Sequence, residues 1–276
     1  MNIFNSIEEV KSYNGFIPNN SIINAECLEA MKFIKDKSIS MVLCDLPYGT
    51  TKALFDNCID LNKLWAEYKR IIKPNGVIAL FAGCPYDKVL GCSNLKWLKY
   101  EWIWEKTQAT GFLNAKKMPM KAHEQILIFY DKLPTYNPQK TFGHKPINSY
   151  TKLARVQNKT ELYGSVNKDV SGGGETDRYP RSVLIFPSDK QTNKLNGFLH
   201  PMQKPLALCE YFVNTYTKEG DLVLDNCSGS GTTGLAAKNL KRDFIMIEKE
   251  QRFHEMSLKR LQIIVPIPAP IVNIII

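Results

Sequence analysis

Between residues 21 and 130 the apolar positions fall into alternating short, strand-like and longer, helix-like runs. "SIIN" (21–24) reads as a strand, "CLEAMKFIKDKS" (27–38) as a helix, and "ISMVLCD" (39–45) as a strand apolar on both faces. "LNKLWAEYKRII" (61–72) has helical spacing, "KPNG" (73–76) reads as a turn, and "VIALFAG" (77–83) as a further strand. "YEWIWEK" (100–106) and "HEQILIFYDK" (123–132), joined by the polar loop 107–122, predict an antiparallel hairpin. The alternation is lost over 131–197, where "SVLIF" (182–186) is the one clear strand signal. It returns with a helix over 204–217, a strand in "GDLVLDNC" (220–227), a helix over 231–240, a strand over 242–248 and a closing helix over 250–262.

Strands and helices in turn imply an α/β fold, with a mostly parallel Rossmann-like sheet covered on both faces. The interruption divides the chain into 1–130, an inserted lobe 131–199, and 200–276, so that two blocks build one sheet. An irregular span as long as 131–199 inside a compact domain points to function. It holds eleven Lys or Arg against six Asp or Glu, together with seven aromatic residues. Basic residues mixed with aromatics suit a polyanion whose bases offer stacking faces; a solvated basic surface has the same composition.

The whole chain carries a formal charge of +9. Its seven cysteines form no CxxC pair, which argues against a zinc site and for a reducing compartment. "MNIFNSIEEVKSYNG" (1–15) has acids where a signal peptide needs basic residues, and the apolar tail 263–276 is too short and proline-broken to span a bilayer. A cytoplasmic protein is the expectation. "HEQIL" (123–127) begins like a zinc-protease helix, but Leu127 stands where the second histidine belongs.

The densest chemical signal is "LVLDNCSGSGTTGLAA" (222–237). A strand ends at Asp225, Gly229, Gly231 and Gly234 open a helix, and Glu248 closes the next strand. Such glycines let a ligand approach the backbone, and an acid at the neighbouring strand end can hold ribose hydroxyls. A nucleoside cofactor is implied. Asp225 would repel a pyrophosphate at the helix N-terminus but would attract a cationic amine or sulfonium, which favours S-adenosylmethionine over NAD. A nicotinamide-dependent dehydrogenase on the same glycines remains the rival reading.

With an activated methyl group nearby, "DLPYG" (45–49) acquires a chemical use. An exocyclic base amine is a poor nucleophile and must be held in line by acceptors. Asp45 can supply one and the carbonyl of Leu46 or Pro47, freed from the sheet by the proline, another; Tyr48 can stack on the base. The other reading of such a stretch is a proline turn at a strand end.

At these residues the chain resembles the permuted amino-group DNA methyltransferases, in which the catalytic motif precedes the cofactor motif. "DLPY" (45–48) is similar to that family's Asp-Pro-Pro-Tyr, with Leu46 for the first proline, and "LDNCSGSGTT" (224–233) to its cofactor motif. "HPMQKP" (200–205) and "INAECLEAM" (23–31) resemble two further elements, with Met202 and Glu26 as departures. The resemblance implies a methyltransferase fold, transfer from S-adenosylmethionine to N6 of adenine, and catalysis at Asp45, Leu46, Pro47 and Tyr48. Adenine is favoured over N4 of cytosine because cytosine enzymes often carry serine at the position of Asp45. It implies cofactor contacts from Glu26, Asp45, His200, Lys204, Asp225, Asn226, Ser228, Gly229, Ser230, Gly231, Thr232, Thr233 and Glu248. It makes 131–199 the target-recognition region of an enzyme that flips its base. Double-stranded DNA is the implied partner, with Lys106, Lys116, Lys117, Lys121, Arg178 and Arg181 as candidate contacts. A homodimer and a cognate restriction endonuclease are candidate partners. A DNA-binding protein that keeps this fold without catalysis is the second rival.

Overall fold

The computed structural model describes residues 1–13, 15–49, 57–148, 173–189 and 203–262; the tail 263–276 and His200 lie outside them. These residues form two compact units, one of 1–137 with 182–276 and a smaller one of 138–181.

The larger unit is built on one nine-stranded sheet. Its strands are β1 (Asn2–Phe4), β2 (Ser21–Asn24), β3 (Ile39–Asp45), β4 (Ile72–Ala82), β5 (Leu98–Thr110), β6 (Lys121–Phe129), β7 (Val183–Phe186), β8 (Leu222–Asp225) and β9 (Asp243–Glu248). They lie in the order β1-β2-β9-β8-β3-β4-β6-β5-β7. Every pairing is parallel except those of β6, which runs against both β4 and β5 as the hairpin pattern predicts. The helices are α1 (Ile7–Tyr13), α2 (Cys27–Met31), α3 (Leu61–Ile71), α4 (Tyr86–Ser93), α5 (Leu206–Tyr216), α6 (Thr232–Asn239) and α7 (Gln251–Gln262).

Burial on both faces explains the unbroken apolar runs of the central strands. In β3 and β4, Val42, Cys44, Ile78 and Leu80 point into a core shared with α1 to α4. Met41, Leu43, Val77, Ala79 and Phe81 point into a second core under α5 to α7. Phe212 of α5 centres the second core: its ring lies 6.4 Å from Phe81 and 5.9 Å from Trp102. Trp102 and Trp104 hold the hairpin to this face, their indole nitrogens donating to the Tyr216 hydroxyl at 2.7 Å and the Phe186 carbonyl at 2.9 Å.

Several elements differ from the sequence reading for local reasons. The helix expected over 27–38 stops at Met31, because Arg70 of α3 donates to the carbonyls of Met31 and Ile34 and ends the ladder there. "KPNG" is not a turn before a strand but an irregularity within β4: Ile72 pairs with Ile39 and Val77 with Met41, so five positions of one strand oppose two of the other. β1, α1 and α4 carry patterns too short to stand out. β7, assigned by the pattern to the inserted lobe, instead pairs with β5 and extends the main sheet.

In the smaller unit, Thr141 bridges Arg178 in antiparallel fashion, and Lys140 meets Asp177 at 2.7 Å with its ammonium 4.3 Å from the Tyr179 ring.

Replacing Phe212 with Ala is expected to destabilise the protein by about 3–5 kcal/mol, the usual cost of emptying a fully buried aromatic site. Urea unfolding monitored by circular dichroism checks the value.

Candidate functional site

Three parallel strands lie side by side and end on acids. β3 pairs with β8 through Met41–Val223 and Val42–Leu224, and β8 pairs with β9. Asp45, Asp225 and Glu248 therefore emerge at one carboxyl edge, where open α/β sheets bind ligands. They line a cavity of about 590 Å³ together with Glu26, Tyr48 and the glycine loop.

The loop from Asp225 to α6 has glycine where backbone and space demand it. Gly231 has φ +77° and a Cβ there would lie 2.8 Å from the Cβ of Ser257. Gly229, at φ +49°, has open space where its side chain would be. Glu248 pins this loop, accepting the N–H of Gly229 at 2.7 Å and that of Glu250 at 2.8 Å. From α7, Arg260 donates to the hydroxyls of Thr232 at 2.7 Å and Ser230 at 3.2 Å, and its guanidinium lies 3.6 Å from Asp189. Thr233 donates to the carbonyl of Leu43 at 3.3 Å, tying the loop directly to β3.

The two central acids are handled differently. Burial pushes Asp225 up to about 7; hydrogen bonds from Thr233, Cys227 and Cys44 oppose this, while the charge of Asp45 adds to it. No cation balances Asp225 among the described residues. Asp45 has one: the Lys204 ammonium sits 2.5 Å from its Oδ2, and the Tyr48 hydroxyl donates to its Oδ1 at 2.7 Å. Lys204 also lies 3.3 Å from Glu124, which in turn meets Lys106 at 2.6 Å. Burial alone would raise the Glu124 carboxyl, but the Lys204 and Lys106 charges win and pull it down to about 2. Burial would lower the Lys204 ammonium, yet Asp45 and Glu124 together raise it. The result is a buried row of alternating charges that ends at Asp45.

Tyr48 stacks on Tyr86 with ring centroids 4.9 Å apart, so one of its faces is covered. Burial first, then the Asp45 charge, raise its hydroxyl well above the ordinary tyrosine value. Leu46 is buried in the first core. Cys44, set beside the site, is driven by burial up to about 12 and stays a protonated, inert thiol.

Most of the residues proposed from the motifs meet at this cavity, but some have other partners. Lys204 lines it, yet its ammonium is engaged with two carboxylates and is not placed to hold a cationic cofactor. Lys106, expected to meet phosphate, is held between Glu124 and the Trp104 ring at the root of the hairpin, with a side chain only 12% exposed. Asn226 accepts the Tyr68 hydroxyl at 2.6 Å, and Glu26 caps α2 by accepting the Glu29 N–H at 2.9 Å while also lining the cavity. Arg178 donates to the carbonyls of Lys145, Glu175 and Asp177 and braces its own unit. Lys116, Lys117, Lys121 and Arg181 are exposed. Glu124, Arg260 and Asp189 are functional neighbours that no motif pointed to. Glu124 lies in the "HEQ" set aside as a false zinc signal, and its place one residue from a buried strand run was the available clue.

Residues 39–259 match the family described as DNA methylase, of the N6/N4 methyltransferase type. The Type II methyltransferase M.HpaI of Haemophilus parainfluenzae is 30% identical over 258 residues, covering 87% of this chain and 73% of that protein. The Type II methyltransferase M2.MboI of Moraxella bovis is 27% identical over 279 residues, covering 90% of each. Among solved structures, the M1.HpyAVI–SAM complex is 25% identical with a TM-score of 0.59, covering 88% of this chain and 98% of that one. The cytosine-N4-specific PvuII DNA methyltransferase shares the fold at 18% identity, with a TM-score of 0.62 over 89% of this chain and 87% of that one.

The raised Asp225 carboxyl makes folding pH-dependent. Its folded value lies above the unfolded one, so between about pH 4 and 7 the unfolded chain holds fewer protons and stability falls as pH rises, by up to ~1.4 kcal/mol per unit. Asp225→Asn should remove this slope, so that the stability difference between variant and wild type changes from pH 5 to 7 and levels off above. Urea denaturation of both proteins across that range measures it.

Proposed function

The chain belongs to the N6/N4 amino-methyltransferase family of DNA methylases, and from that premise we propose that it transfers a methyl group from S-adenosylmethionine to N6 of adenine in double-stranded DNA. The observation that carries the reading is one cavity shared by Asp45 and Asp225, the first with a lysine counter-ion and the second with none among the described residues. A carboxyl group rather than a serine hydroxyl at the amine-holding position supports adenine.

The residues present fit the cofactor. A buried carboxylate raised to about 7 is a site short of a cation, and a sulfonium with an ammonium group supplies one. The open space at Gly229 and the partnerless buried hydroxyl of Ser228 leave room and a hydrogen-bonding group along the loop. Asp225 would hold the charged end, Glu248 and Glu26 would face the nucleoside hydroxyls and base, and Ser228 to Thr233 would form the cradle. The cofactor, when bound, supplies an activated methyl group on its sulfonium centre.

The chain's own part is orientation. Asp45 accepts one amine N–H, and the Leu46 carbonyl stands next to it in sequence where the proline has broken the strand pattern. Lys204 keeps the carboxylate aimed, and the Tyr48 ring face turned away from Tyr86 would stack on the base. Holding the amine in line with the methyl donor can supply ~7–11 kcal/mol of the barrier. The proton leaves the nitrogen on the side of Asp45. Lys116 and Lys117 are proposed as phosphate contacts, and Lys121 and, in the smaller unit, Arg181 are proposed as further ones.

Asp45→Ala should abolish methyl transfer and leave S-adenosylmethionine affinity within a few-fold of wild type. Tritiated-methyl incorporation and isothermal titration read the two separately. Sequencing modified bases in DNA from a methylation-free host expressing the chain should reveal N6-methyladenine in a fixed context; N4-methylcytosine would transfer the same geometry to the other base. A wild-type protein that binds DNA but modifies none would leave the non-catalytic rival standing.

Replacing both Lys116 and Lys117 with Ala should flatten the dependence of log Kd on log salt by about 1.8, since each neutralised phosphate contributes about 0.9. Titration of a fixed duplex from low to moderate salt measures the slope.

A further inference from the structure

The hairpin of β5 and β6 reaches beyond the sheet on the side of the site. Ala82 of β4, Gln125 of β6 and Ile103 of β5 stand on one row across the sheet, and Asp45 pairs with Phe81 one row behind it. β6 continues four residues past that row to Lys121, about 13 Å at the rise of a strand, in the direction of the carboxyl edge. The β6 arm adjoins the catalytic motif: the Lys121 ammonium fills the space a Cβ of Gly83 would take, with the Tyr48 ring next to it.

The tip of this hairpin, residues 111–120, presents apolar side chains to water. Phe112 is 77% exposed and Leu113 97%, on a short helical turn that follows Gly111 at φ +92°, and Met118, four residues past that turn, is 58% exposed. Lys116 and Lys117 are exposed on the same ten residues. Isolated exposed leucines need no explanation, but several large apolar groups clustered on a projecting tip mark a contact surface. A protein groove would cover Phe112 and Leu113 without using the two lysines. A nucleic-acid duplex uses both, because its stacked bases accept an apolar wedge and its phosphates accept the ammonium groups.

Resting on the function proposed above, we propose that Phe112 and Leu113 form a wedge that enters the base stack beside the target and holds open the space the extruded base leaves, with Lys116 and Lys117 on the flanking phosphates. The wedge offsets the unstacking and unpairing that extrusion costs. It touches neither cofactor nor reacting atoms, so its contribution shrinks when the target base has no partner to leave.

That dependence gives the test. Methyl transfer by wild type and by a Phe112→Ala, Leu113→Ala double variant is measured on two duplexes carrying the mapped target base, one fully paired and one with an abasic site opposite it. On the paired duplex kcat/KM should fall roughly tenfold or more, and on the abasic-opposed duplex it should stay within about twofold of wild type. Leu113→Ala alone, at a position almost wholly in solvent, should show the same pattern more weakly; its fold cannot depend on that side chain. An equal loss on both duplexes, or no loss on either, overturns the wedge. A double variant that turns a dimer into a monomer in sedimentation, with equal losses on both duplexes, would make the tip a subunit contact instead. If wild type methylates neither duplex, it is the methyltransferase reading that fails.

Discussion

The site depends on one pairing, that of β3 with β8. These strands come from opposite ends of the chain, and nothing local brings them together. Each is apolar on both faces, so each gains by lying in the middle of a covered parallel sheet and neither can serve as an edge. The register is equally constrained, because a shift of one residue would exchange the side chains facing α1 to α4 with those facing α5 to α7. The volumes on the two sides differ: Val42 and Cys44 face one way, Met41 and Leu43 the other. Once the register is held, Asp45 and Asp225 have no choice of neighbour, and the Thr233 hydroxyl on the Leu43 carbonyl locks the loop of one strand to the backbone of the other.

The buried row Lys106–Glu124–Lys204–Asp45 is costly in isolation, since each ion gives up water. It persists because every member has an oppositely charged neighbour within 3.3 Å and the row sums to zero charge. Its geometry also explains why the hairpin belongs to the site. Glu124 and Lys106 come from β6 and β5, so the strands that send a tip out past the carboxyl edge also hold, at their root, the charges that position Asp45 through Lys204. Trp102 and Trp104 fasten that root to α5 and β7. A rigid root with an exposed tip would let one element serve the proposed chemistry and reach for the proposed partner.

Alternation of apolar runs was enough to read the central strands, the hairpin and the helices after residue 200, because long covered elements imprint their period on the sequence. The glycine loop and "DLPY" were legible because few other residues can satisfy a positive φ or end a buried strand on an acid. What could not be read depends on distance in the chain. Arg70 ends α2 from another helix, Arg260 supports the glycine loop from α7, and Glu124 reaches Asp45 only through Lys204. Charge alone misassigned Lys106, because a lysine bound to a buried carboxylate and one facing solvent look identical in composition. β7 was placed in the lobe for a similar reason: a four-residue strand declares its sheet only through its partner, β5.

The difference between Asp45 and Asp225 suits one edge to the two substrates of unlike charge that the proposed function requires. Both acids close a parallel strand; Asp225 is buried and Asp45 is partly exposed. Asp45 already has Lys204 against one oxygen, so a second cation there would compete with the first, whereas a neutral amine needs only a lone pair in a fixed direction. Asp225 has hydrogen bonds but, among the described residues, no counter-ion, and burial raises its carboxyl. A cationic ligand is drawn to Asp225 because it removes the penalty of ionising there, and is not drawn to Asp45, where Lys204 would repel it. On the proposed function, sorting of cofactor from base would follow from where one lysine sits, with no difference required between the acids themselves.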